Sequence, residues 1–158
     1  MGFDFKYFGE SFRYVGVDRS GSINFEKNSD AFYDEYGNCG YVYHDVNKIN
    51  WQPKSDVQLA NWYERPASVH YTVTGASPNR LVTVQVTNAV TYYGSEQALT
   101  AQIVLSESTG VIQILYPSTP FPYSGAASRP SLYENGVLKA EVLAADAALV
   151  AAARTTMC

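Results

Sequence analysis

The stretch richest in groups that do chemistry is "NSDAFYDEYGNCGYVYHD", residues 28–45. Asn28, Asp30, Asp34 and Glu35 offer hard oxygen atoms, of which Ca²⁺ gathers about six to eight at short range. Their spacing is not that of an EF-hand loop. The simpler reading is a solvated acidic loop with no cofactor assigned, Ca²⁺ being the one ion that Asp30, Asp34 and Glu35 would attract. Cys39, His44 and Asp45 are the residue types of a nucleophile, a base and an orienting group. No nucleophile-elbow motif surrounds Cys39, and neighbours on a strand point to opposite faces, so the types alone do not make a triad. No catalytic residue is assigned, and the chain is expected to be non-enzymatic.

Aromatic residues crowd the same region and the next. Tyr33, Tyr36, Tyr41, Tyr43, Trp51, Trp62 and Tyr63 fall in or beside two long loops, residues 26–38 and 47–61. Rings so placed either roof the core, anchor a protein contact or stack on sugar faces. Tyr33, Tyr36, Tyr43, Trp51, Trp62 and Tyr63 are the ligand or partner candidates. His70 stands on the expected outer face of a strand, as a surface histidine.

These loops need a scaffold, and period-2 alternation supplies it. Phe3, Phe5 and Tyr7 share a face; residues 9–11 turn the chain; Phe12 and Tyr14 run back. Asp18-Arg19-Ser20-Gly21 is a turn, because Asp and Ser bond nearby backbone and Gly accepts positive φ. Residues 22–25 follow as a strand, and residues 41–46 read as another. Val69, Tyr71 and Val73 alternate with polar residues, as do Val82, Val84 and Val86, and residues 75–79 join the two runs into a hairpin. Leu99, Ala101, Ile103 and Leu105 pair with residues 111–116 across Ser108-Thr109-Gly110. Asn135-Gly136 is a two-residue hairpin turn. The expectation is an all-β, antiparallel β-sandwich with long loops, a single domain over residues 1–158, whose core includes Phe5, Phe25, Val69, Tyr71, Val73, Val82, Val84, Ile103 and Ile112.

The end of the chain differs. "AEVLAADAALVAAARTTMC" is Ala-rich and nearly all apolar, which permits helix but offers no polar face. It must be covered, by its own sandwich or by a neighbouring copy. In the second case Leu143, Ala148, Leu149 and Val150 are the assembly residues of the segment 143–158.

Composition narrows the function classes. The chain has 158 residues, 13 Tyr and only 16% charged residues, which suits a β-rich, weakly charged surface. A net charge of -4 leaves no basic patch for phosphates, so nucleic acid is excluded as a partner. No apolar run approaches the ~18 residues that span a bilayer as a helix. The first strand begins close to Met1, as expected of a mature or excised piece.

With the strands placed, residues 3–25, "FDFKYFGESFRYVGVDRSGSINF", resemble the opening of nidogen-like domains and related β-sandwich modules of secreted bacterial surface proteins, type IX-sorted ones included. Those modules start on an apolar "PFxFxFFG" strand and continue "Y…V.VSSNGYISF". The counterparts are Phe3, Phe5, Tyr7, Phe8 and Gly9, then Tyr14, Val15, Val17, Gly21, Ile23 and Phe25. "SVHYTVTGASPNRLVTVQVTNAV", residues 68–90, is similar to the hairpin "G.VYY.TTGTAPNR.FVVEWKNV", with Gly75, Pro78, Asn79, Arg80 and Asn88 in common. "LTAQIVLSESTGVIQILY", residues 99–116, is similar to "FQVILYEGTNDIEFQY". Asn61-Trp62-Tyr63-Glu64 stands where the family has an acidic "P.WDD" segment, and Val86 stands in place of its strand Trp.

The resemblance implies an extracellular or cell-surface location and a role in adhesion or structure, and it brings no catalytic residues. The expected function is a structural or adhesive protein that assembles with itself into a filament or surface layer. The alternative is a carbohydrate- or ligand-binding module of a larger secreted protein, with surface glycans or matrix as partners. Cys39 and Cys158 lack metal-type spacing and are either free thiols or one long-range disulfide. Peptide mass spectrometry without reduction separates the two: a linked peptide pair shows the bond, and two alkylatable thiols in fresh native protein exclude it.

Overall fold

A computed structural model describes residues 1–18, 21–27, 47–51, 57–59, 67–91, 94–116, 130–141 and 155–157. All regular structure in these residues is strand. In chain order the strands are β1 (Phe5–Tyr7), β2 (Glu10–Phe12), β3 (Tyr14–Val17), β4 (Ile23–Glu26), β5 (Asn47–Asn50), β6 (Val57–Gln58), β7 (Ser68–Thr74), β8 (Leu81–Thr91), β9 (Gly94–Ser106), β10 (Ile112–Leu115), β11 (Ser131–Glu134), β12 (Val137–Glu141) and β13 (Thr155–Met157). One sheet runs β12-β11-β5-β4-β3. A second runs β13-β10-β9-β8-β6, with β7 also pairing β8 beside β6, and β1 and β2 form a two-stranded sheet of their own. Every pairing is antiparallel. Apolar side chains of both larger sheets close on one core, which makes the fold an antiparallel β-sandwich.

The opening hairpin fills one part of that core. Phe8 and Gly9 both have positive φ, 47° and 88°, the signature of a two-residue type I′ turn, so the chain reverses at 8–9 rather than at 9–11. Phe5, Tyr7 and Phe12 are thereby directed inward around Phe25, with the Phe5 and Tyr7 rings 5.5 and 4.5 Å from it. The Tyr7 hydroxyl lies 2.9 Å from the Lys48 carbonyl and 3.0 Å from that of Tyr133, and its single proton serves both acceptors. One phenol thus ties β1 to β5 and β11. Burial pushes its ionisation well above the ordinary tyrosine range.

Trp51 joins the two sheets. It follows β5 directly, is fully buried, and donates its indole N–H to the Gly21 carbonyl at 2.5 Å. Its own carbonyl accepts a hydrogen bond from the Tyr116 hydroxyl, at the end of β10 in the other sheet. Gly21 is presented by a tight turn in which Asp18 Oδ1 accepts from the Ser22 amide at 3.0 Å and the Asp18 carbonyl from the Gly21 amide at 2.8 Å.

Three expectations are corrected. Residues 47–61 are not all loop: Asn47–Asn50 is an interior strand, overlooked because Ile49 is its only buried apolar residue. The end of the tail, where the sequence assigns no strand and the composition only permits helix, is a strand: Thr155–Met157 pairs with β10. Third, Val69, Tyr71 and Val73 are not core. Phe5, Phe25, Val82, Val84, Ile103 and Ile112 are buried as expected, but β7 is exposed along its whole length. By register Val69, Tyr71 and Val73 share a face with Val86, Val84 and Val82. That face is covered as far as β8 and uncovered at β7.

Val84→Ala should therefore lower unfolding free energy by about 2 kcal/mol, and Val73→Ala by less than about 0.5 kcal/mol, in denaturant titrations. Trp51→Phe removes a donor and leaves a buried carbonyl unpaired, at about 1–3 kcal/mol. Equal losses for Val84 and Val73 would contradict the burial pattern.

Candidate functional site

β7 reads Ser-Val-His-Tyr-Thr-Val-Thr, a run of β-branched and aromatic residues with no Gly, Pro or Lys. It pairs with β8 without interruption from Ser68↔Thr87 to Thr74↔Leu81. The turn that presents it is tightly specified. Gly75 has φ +82°, and a Cβ there would lie 2.6 Å from the Asn79 carbonyl oxygen, so a side chain does not fit.

A charged clamp holds the same turn. The Arg80 guanidinium meets the Glu107 carboxylate through two bonds, Nε to Oε2 at 2.7 Å and Nη2 to Oε1 at 2.5 Å. The Arg80 amide also donates to Oε2 at 3.2 Å, and the Glu107 amide donates to the Arg80 carbonyl at 2.9 Å. The remaining Arg80 nitrogen, Nη1, donates to the Gly2 carbonyl at 2.7 Å, and the guanidinium lies over the Phe3 ring. One arginine therefore links the β7–β8 turn, the β9–β10 turn and the start of the chain. The hydrogen bonds from Arg80 hold the Glu107 carboxyl below its ordinary range, and Glu107 in turn pushes the guanidinium up.

What this frame presents is an apolar row. Val69, Tyr71 and Val73 are 39%, 72% and 42% exposed, whereas Val84, across from Tyr71, is 2% exposed. The opposite face of the same sheet is polar: Gln102 Nε2 donates to Gln85 Oε1 at 2.8 Å, and Gln85 Nε2 to Thr87 Oγ1 at 3.1 Å. His70 lies on that face, opposite Gln85, and is exposed as expected. The arrangement suits contact with another surface, apolar on one side of the strand and without Asp, Glu, Lys or Arg along it.

Of the residues singled out in the sequence, Trp51 is in the core and cannot touch a partner. Tyr33, Tyr36, Tyr43, Trp62 and Tyr63, the acidic Asp30, Asp34 and Glu35, the set Cys39, His44 and Asp45, the tail residues Leu143, Ala148, Leu149 and Val150, and Cys158 lie outside the described residues. Among the described residues no three His, Cys, Asp or Glu side chains group to hold a metal ion. Among them, too, no helix is long and apolar enough to cross a membrane. The clamp went unnoticed in the sequence. Its signal was opposite charges in two turns, Arg80 and Glu107, that adjacent hairpins bring to one end of a sheet.

The depressed Glu107 pKa sets a pH dependence. A carboxylate held below its unfolded value adds stability above that value and loses it as pH falls through the folded one. Glu107→Gln should lower the thermal midpoint at neutral pH, and the gap to the parent protein should close below the ordinary value of about 4.5. A gap that persists undiminished in acid would contradict the ionic part of the clamp.

The comparisons with known proteins extend the resemblance along the chain. A family described as NIDO related matches residues 1–153. No curated protein and no solved structure matches. The match runs from the opening hairpin through the clamp and the exposed strand to the Ala-rich segment, and the chain belongs to the NIDO related family.

Proposed function

We propose that this chain is a non-catalytic extracellular module, structural or adhesive, that acts by contact through β7. The observation that carries the reading is the exposed row Val69, Tyr71 and Val73 on a strand held rigid at its turn by Gly75 and the Arg80–Glu107 pair. Exposed apolar side chains gathered on one rigid element mark an interaction surface, where singly scattered ones do not. Tyr is also among the residues most enriched where proteins meet.

A second reading, a carbohydrate-binding module, rests on the same Tyr71. Its ring, 72% exposed between two valines, is a platform on which the apolar face of a sugar can stack.

Retention of the purified protein on a surface coated with decellularised extracellular matrix, and on a glycan array, tests both. Contact through β7 predicts matrix retention that falls about tenfold or more in Tyr71→Ser, the loss of one central aromatic anchor, with an unchanged thermal midpoint. Binding to defined glycans with the same loss would favour the second reading. Retention indifferent to Tyr71 would remove β7 from the function.

A further inference from the structure

We infer that β7 is a homodimer edge: two copies of this chain pair β7 to β7, antiparallel about a two-fold axis at Tyr71, and join their sheets into one. The inference rests on the reading of β7 as the contact surface and names its partner as a second copy.

The first ground is the edge itself. β8 is the only described strand that pairs with β7, so among the described residues one side of β7 has no backbone partner. Exposed edges of this kind are normally blunted by short length, charge, Pro or a bulge. The other described edges carry such devices. β12 has Lys139 at its centre, ion-paired with Glu134 at 2.9 Å, and its pairing with β11 shifts register between Leu132 and Tyr133. β3 is four residues long and contains Gly16, and β13 has three residues. β7 has seven residues, no charged side chain and an unbroken register.

The second ground is self-complementarity. Antiparallel pairing about Tyr71 sets Ser68 against Thr74 of the other copy, Val69 against Val73, and His70 against Thr72, with Tyr71 facing its own equivalent. Each apolar residue meets an apolar one and each polar residue a polar one. No like charges of Asp, Glu, Lys or Arg meet, because the strand has none of these residues, and directly opposed aromatic and β-branched pairs stabilise antiparallel strands. An isologous interface requires this symmetry of its own sequence.

The third ground is continuity. Within one copy Ile114, Ile103, Val84 and Tyr71 lie in a row across β10, β9, β8 and β7. The row is buried up to Val84 and open at Tyr71, so a second β7 extends a stripe that the first copy leaves unfinished.

Sedimentation velocity from roughly 1 µM to 1 mM, the span in which a small interface is populated, tests the pairing on the whole chain. The expected result is a monomer–dimer equilibrium that Tyr71→Lys abolishes, since it sets two ammonium groups against each other on the axis. Register is tested by compensation. Val69→Lys and Val73→Glu should each weaken the dimer, and the double variant should restore it, because each Lys then faces a Glu of the other copy. In dilute protein, where the parent is monomeric, thermal midpoints of all variants should match the parent. A parent protein that stays monomeric throughout, a dimer indifferent to Tyr71→Lys, β7-dependent species larger than dimers, or a double variant no better than the single ones would each overturn the inference. A monomer whose matrix retention still depends on Tyr71 would overturn the self-pairing alone; retention indifferent to Tyr71 would overturn the contact surface as well.

Discussion

The joining of the two sheets depends on Trp51. A sandwich needs its two sheets held at one spacing and one register, and apolar contact alone sets spacing without direction. Trp51 supplies direction: its ring is buried, its indole N–H is fixed to Gly21 in the turn between β3 and β4, and its carbonyl is fixed to Tyr116 after β10. A shift of one sheet against the other would break a hydrogen bond inside the core, where an unpaired polar group costs about 1–3 kcal/mol. Tyr7 repeats the device with its hydroxyl, pinning the first hairpin to two neighbouring strands.

With the centre so constrained, the polar residues at the periphery can specify turns. Asp18 closes one turn around Gly21, and Arg80 with Glu107 fastens two turns to the start of the chain. The consequence reaches β7. A strand with one paired neighbour among the described residues and its side chains exposed would fray if its turn were loose. Gly75 and the clamp keep it extended, so that an apolar row stands in solvent without collapsing onto the core.

Much of the fold was legible because alternation reports which residues share a face. The pairs β7–β8, β9–β10 and β11–β12 follow from it directly, as does the inward position of Val82, Val84 and Ile103. Alternation does not report whether a second sheet lies over that face, which is why Val69, Tyr71 and Val73 read as core. A strand as short and polar as Asn-Lys-Ile-Asn offers no period to detect, and Trp51 beside it passed for a loop aromatic near Pro53. Long-range polar contacts such as Arg80 with Glu107, or Tyr7 with Lys48, join residues 27 and 41 apart and leave no local pattern at all. The exposed row on β7 was therefore visible in the sequence as a strand and invisible as a surface.

The account's central claim is that β7 stands outside the core of the monomer and is covered by another molecule. Residue-resolved amide hydrogen exchange, recorded at low and at high protein concentration, addresses it directly. The account predicts that β8, β9 and the residues around Trp51 are protected at both concentrations, whereas alternate amides of β7 exchange fast in dilute protein and become protected as concentration rises. Protection of β7 equal to that of β8 in dilute protein would contradict it, because the strand would then be covered by its own chain.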